Sequence, residues 1–131
     1  MTDHQPIDRF AAVVGGLRLA SGVSFLVAPE AANKLWGDAA EPDTTASLLL
    51  RSMGYRDALV GGLLLASALR RSPSTAGWFL ASAGADAADL LGGLANHHRM
   101  TRDQQVRGLG GAVVGITVGV LGALRSRARA A

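Results

Sequence analysis

Six ionisable residues sit in stretches that otherwise read as apolar helix: Arg18, Arg51, Arg56, Asp57, Asp86 and Asp89. Three are cations and three are anions. A guanidinium is planar, stays charged, and can hold a carboxylate with two parallel N–H donors. Asp86 and Asp89 are three residues apart, so a helix carries both on one face, with Ser82, Gly93 and Asn96 on the same stripe. Three kinds of chemistry are open to such a set. The charges can neutralise one another and pin helix register. Arg18, Arg51 and Arg56, with Tyr55 and Asp57, can anchor a small anionic or lipid-like ligand. Alternatively, Asp86 and Asp89 can work as an acid–base pair. Abundant arginine argues against the third, since a carboxylate held by a guanidinium is not free to carry a proton.

Position decides how much these charges matter. Arg18 falls near the middle of a first apolar segment, Arg56 and Asp57 near the middle of a second, and Asp86 and Asp89 near the middle of a third. Arg51 is about one and a half turns shallower. A lone charge at mid-bilayer depth costs about 2.5–3.5 kcal/mol. Six unpaired charges would cost on the order of 15–20 kcal/mol, more than the stability of a typical domain. They must pair, line water, or both. The simplest pairing sets Asp86 and Asp89 opposite Arg18 and one or both arginines of the second segment.

The segments that carry them read as four helices, spanning about 8–28, 46–70, 74–96 and 104–124, in a single domain over 1–131 with short disordered ends. The first ends at Pro29 and Glu30. A loop follows to Asp43, containing Trp36, Gly37 and Pro42. Asp43, Thr44 and Thr45 offer capping oxygens for the second helix, and the Arg70-Arg71-Ser72-Pro73 turn ends it. Trp78 lies one turn into the third helix, which closes on His97, His98 and Arg99. The fourth has no charge from Gly108 to Leu124. No segment alternates with period 2, so strands are not expected. Gly111, Gly115 and Gly119 make a ridge of small residues, as do Gly15 with Gly22 and Gly62 with Ala66. In lipid such ridges let helix backbones approach closely.

Composition points the same way. Charged residues are 18%, mean hydropathy is +0.25, and aromatics are 5%. There is no cysteine, which removes disulfides and thiolate chemistry. The pI of about 10.6 comes with a net charge of only +3, no nucleic-acid motif and no aromatic stacking surface, so no nucleic-acid partner is expected. The opening stretch to Asp8 carries acids before its first arginine and does not read as a signal peptide. His97 and His98 are adjacent and diverge by about 100° on a helix, so no metal site is expected. No nucleophilic triad, phosphate loop or zinc spacing is present, and no cofactor is expected. The Gly15-Gly16, Gly61-Gly62, Gly92-Gly93 and Gly110-Gly111 pairs read as packing surfaces.

A central arginine in a first helix that ends near Pro29, then Arg51 followed by Gly54-Tyr55-Arg56-Asp57, then Asp86-Ala87-Ala88-Asp89, form a pattern. It resembles one of the uncharacterised four-helix membrane families of bacteria and fungi grouped as domains of unknown function. The resemblance runs from about Ile7 to Leu124 and implies an architecture, not an activity. The expectation is therefore an all-α integral membrane four-helix bundle, multi-pass in the plasma membrane, with the lipid bilayer as its surroundings. With both ends cytoplasmic, the inside would carry Arg9, Arg70, Arg71, Arg125, Arg127 and Arg129, and the outside Lys34, Arg99, Arg102 and Arg107. Its expected role is structural or accessory, or the binding of a small anionic or hydrophobic ligand in a buried Arg/Asp cluster. The alternatives are a membrane-embedded isomerase or cyclase using Asp86 and Asp89, and a proton-coupled transporter acting as a homodimer or in a larger complex.

Overall fold

The computed structural model describes residues 6–36 and 40–131. Gly37, expected in the loop that runs to Asp43, lies outside the described residues, as do residues 38, 39 and 1–5. The fold is all-α with five helices rather than four: α1 (Arg9–Val27), α2 (Pro29–Trp36), α3 (Thr44–Leu69), α4 (Thr75–Ala95) and α5 (Arg102–Ala130).

The added element is α2. Pro29 does end the first helix, but it also starts another. A proline at the first helical position loses no hydrogen bond, and its φ is already helical. Glu30 in the first turn and Lys34 in the last suit the helix dipole. The starts of α1, α3 and α5 follow the capping residues. The Asp8 carboxylate accepts from the Ala11 N–H at 3.1 Å, and Asp43 accepts from Ala46 at 2.7 Å. After one 3₁₀ turn at His97–Arg99, Thr101 and Gln104 cap each other's backbone and start α5. That helix includes a π-helical stretch at Gln105–Leu109 and continues past Leu124 to Ala130.

The four long helices run up, down, up, down. Within this bundle α1 packs most extensively on α3, and α4 on α5. Glycine sets both crossings. A Cβ at Gly15 would come within 2.6 Å of the Leu65 backbone nitrogen and 2.8 Å of the Gly61 oxygen. Gly22 meets Gly54 and Ala58 in the same way, so α1 and α3 touch backbone to backbone. On the other side Gly119 lies against Ala83 and Gly122 against the Phe79 ring. The apolar core is small and sits toward the end where α1 starts and α5 finishes. It comprises Ala11, Leu64, Ala68, Phe79 and Ala123, with Phe10 stacked on Phe79 at 5.8 Å.

Among the described residues, two helices are long and apolar enough to cross a membrane, Arg9–Val27 and Arg102–Ala130. The expected four-span pattern is therefore met by two. At 26 and 21 residues, α3 and α4 have the length. They fall short in apolarity because Arg51, Arg56, Asp57, Asp86 and Asp89 interrupt them.

Candidate functional site: an arginine–aspartate ladder

The helix pairs α1/α3 and α4/α5 are bridged at mid-height by long polar side chains. Arg18 of α1 points across to α4, where its two terminal nitrogens meet both oxygens of Asp86 at 2.8 and 3.0 Å. The same guanidinium donates to the Ser82 hydroxyl at 2.7 Å and to Asp57 Oδ1 on α3 at 2.9 Å. One turn further along α4, Arg56 of α3 holds Asp89 with two bonds of 2.8 and 2.7 Å. Its Nε donates to Asp57 Oδ1 at 3.1 Å. Asp57 thus links two forked pairs into one continuous ladder, Asp86–Arg18–Asp57–Arg56–Asp89. Planar forks on facing carboxylates fix orientation as well as distance, which a lysine in either place could not do.

The structure corrects the sequence reading in three ways. First, Arg51 is not in the ladder. It is exposed and makes no ion pair among the described residues. It stands five residues before Arg56, so the two point roughly 140° apart on a helix and cannot both face α4. Two guanidiniums therefore face three carboxylates, and the expected balance of three against three does not hold within the cluster. Second, no salt bridge here is buried. The side chains of Arg18, Asp86 and Asp57 keep 13%, 14% and 17% exposure, and those of Arg56 and Asp89 keep 33% and 40%. The surrounding positions are largely alanine and glycine, which have too little bulk to cover the ladder. Third, Tyr55, which directly precedes Arg56 in sequence, turns away from the ladder and is 60% exposed.

The pairing of Asp86 with Arg18 and of Asp89 with Arg56 matches the arrangement expected from depth along the helices. Ser82, four residues before Asp86, completes the contact with Arg18. Gly115 was legible only as part of a glycine ridge, yet it faces the Asp86 carboxylate directly. Arg18 Nε is shielded from solvent and finds no partner among the described residues. His97 and His98 lie near the end of α4, with His97 Nδ1 2.7 Å from the Leu94 carbonyl oxygen. Among the described residues no three metal-binding side chains converge.

Two clefts lie at opposite ends of the bundle, away from the ladder. One, of about 260 Å³, lies between the α3–α4 turn and the end of α5. The other, of about 490 Å³, lies where residues 40–43 meet α3. Neither is lined by a ladder residue.

A family profile described as a domain of unknown function, DUF4267, matches residues 15–122 and so takes in every residue of the ladder. No curated protein and no solved structure matches the chain.

Proposed function

The chain belongs to the DUF4267 family, and from that premise we propose a multi-pass membrane protein whose four long helices are held in register by the arginine–aspartate ladder. Its role on this reading is structural or accessory. The observation that carries it is closure of the ladder. Asp57, Asp86 and Asp89 each accept from a guanidinium, and the latter two are engaged through both oxygens. A carboxylate so occupied is poorly placed to shuttle a proton, which disfavours an isomerase or cyclase built on Asp86 and Asp89.

The membrane setting is supported by where the apolar surface lies. Among the described residues, only Phe79 and Leu64 are large side chains that are fully buried. Leu17 on α1, Leu49 on α3, Leu91 on α4 and Leu121 on α5 all face outward. Large apolar side chains exposed on every long helix are costly in water, whereas lipid tails cover them without cost. In that setting partly exposed ion pairs are worth more than the small values typical of a wet surface, because the competing solvent is hydrocarbon.

Two experiments test the proposal. Washing membranes that contain the full chain with alkaline carbonate should leave it in the pellet, and release into the supernatant would sink the membrane reading. Arg18→Gln should lower the melting temperature in detergent, whereas Arg51→Gln should not. Equal melting of the two variants would remove the register role.

A further inference from the structure

We propose a second site, an anionic headgroup site recognising phosphate, in the cleft at the end of the bundle where α1 begins, α3 and α5 finish and α4 starts. The six arginines assigned to one side by sequence, Arg9, Arg70, Arg71, Arg125, Arg127 and Arg129, are gathered at this end. Among the described residues it carries a single acid, Asp8. That acid is already engaged. It caps α1, accepts from Ser126 at 3.4 Å, and has Arg129 at 3.6 Å. The local field is therefore strongly positive. The cleft itself is lined by Arg71 and Arg129, by the hydroxyl-bearing Ser72, Thr75 and Ser126, and by that neutralised carboxylate.

Arg71 makes the cleft more than a basic surface. It occupies the turn after α3, where the Ser72 N–H returns to the Ser67 carbonyl at 2.9 Å and the Arg71 N–H to Ala68 at 3.2 Å. This closing turn requires a left-handed residue, usually glycine. Here arginine takes it, with φ of 55°, and is the one non-glycine residue at positive φ among those described. A side chain kept at a position that favours none suggests that the guanidinium is used. It makes no ion pair among the described residues and borders the cleft. A guanidinium fork at the mouth of such a cleft suits phosphate oxygens, while the Thr75 and Ser126 hydroxyls already donate within the protein and shape the wall. Basic pockets at the cytoplasmic ends of membrane helices are where acidic lipid headgroups are held. The lipid as source of the phosphate rests on the membrane reading. Recognition of the phosphate does not.

The test titrates the full chain, in neutral detergent, with short-chain phosphatidylglycerol, short-chain phosphatidylcholine and inorganic phosphate. Phosphatidylglycerol should bind, phosphatidylcholine should not, and Arg71→Gly should weaken binding by about tenfold, the loss of one charge-assisted contact. Glycine relieves the backbone at this turn, so the variant should melt at or above the parent temperature. Arg71→Asn, which also tolerates the left-handed region, serves as a second variant. Arg102→Gln removes one charge at the opposite end and should leave binding unchanged. Binding of inorganic phosphate as tight as that of the lipid would assign the site to a free anion with the same chemistry. No binding of either, or equal loss in Arg71→Gly and Arg102→Gln, overturns the site. Carbonate release with retained phosphate binding would fail the membrane reading alone.

Discussion

Asp86 of α4 occupies the space that a side chain at Gly115 of α5 would need. A Cβ built on Gly115 collides with the Asp86 carboxylate. That carboxylate is not a loose end, because both of its oxygens are held by Arg18. The α5 helix, which contributes no charge to the ladder, therefore sets where the ladder can sit. Gly115→Ala is expected to displace Asp86 and cost about 1–3 kcal/mol, as overpacking of a well-packed contact does. Combined with Asp86→Ala the cost should fall well short of the sum, since the two act on one contact. Denaturant melts of the two single variants and the double would show additivity if the contact were unimportant.

The three aspartates should respond unequally to neutralisation. Asp57 accepts both of its arginine bonds through Oδ1. An asparagine at 57 can keep that oxygen in place, and it leaves two cations facing two anions. Asp86 and Asp89 use both oxygens on one guanidinium. Asparagine there sets an amide NH₂ against an arginine N–H. Asp86→Asn is expected to cost about 2–3 kcal/mol, Asp89→Asn less because it is more exposed, and Asp57→Asn the least. Thermal melting in a fixed detergent gives the order, and Asp57→Asn as the most damaging of the three would contradict the ladder.

Glycines of one chemical type should divide by location. Gly22 and Gly54 lie where α1 and α3 touch, and a methyl on either meets backbone. Gly16 and Gly84 have open space around the same position. Alanine at 22 or 54 should force the helices apart and destabilise by at least about 2 kcal/mol. Alanine at 16 or 84 should be neutral or gain up to about 1 kcal/mol from helix propensity. Similar losses at all four would mean that Gly16 and Gly84 are covered by something outside the chain.

The absence of native cysteine makes topology directly readable. Single cysteines at Ser74 and Ser126 mark the end with the basic cleft, and Asn96 and Thr101 mark the other. If all four long helices cross the bilayer, an impermeant maleimide added to sealed vesicles labels one pair and spares the other. Labelling of both pairs would limit the spans to fewer than four.

Much of this architecture was legible in the chain itself. The helices of the ladder are announced by their apolar runs and breakers, and equal depth places Asp86 and Asp89 opposite Arg18 and the α3 arginines, while the structure alone assigns Asp86 to Arg18 and Asp89 to Arg56. Local signals of this kind survive without tertiary context, because a cap or a breaker acts within one turn. Pro29 shows the limit. It ends one helix and starts the next, and a proline supports either outcome until the flanking residues find partners.

What the chain could not decide by itself is which residues of a helix face which neighbour. Arg51 and Arg56 are equal as chemistry, and the rotation of α3, set by the contact of Gly54 and Gly61 with α1, turns one inward and the other out. The same rotation leaves Tyr55 exposed. Burial was also a tertiary matter: charges at central helix positions were expected to be enclosed, yet their alanine and glycine neighbours cannot cover them. Composition and spacing determined that there would be helices with charge at one level. Only packing decided that two arginines share three aspartates there, and that Gly115 holds the place open.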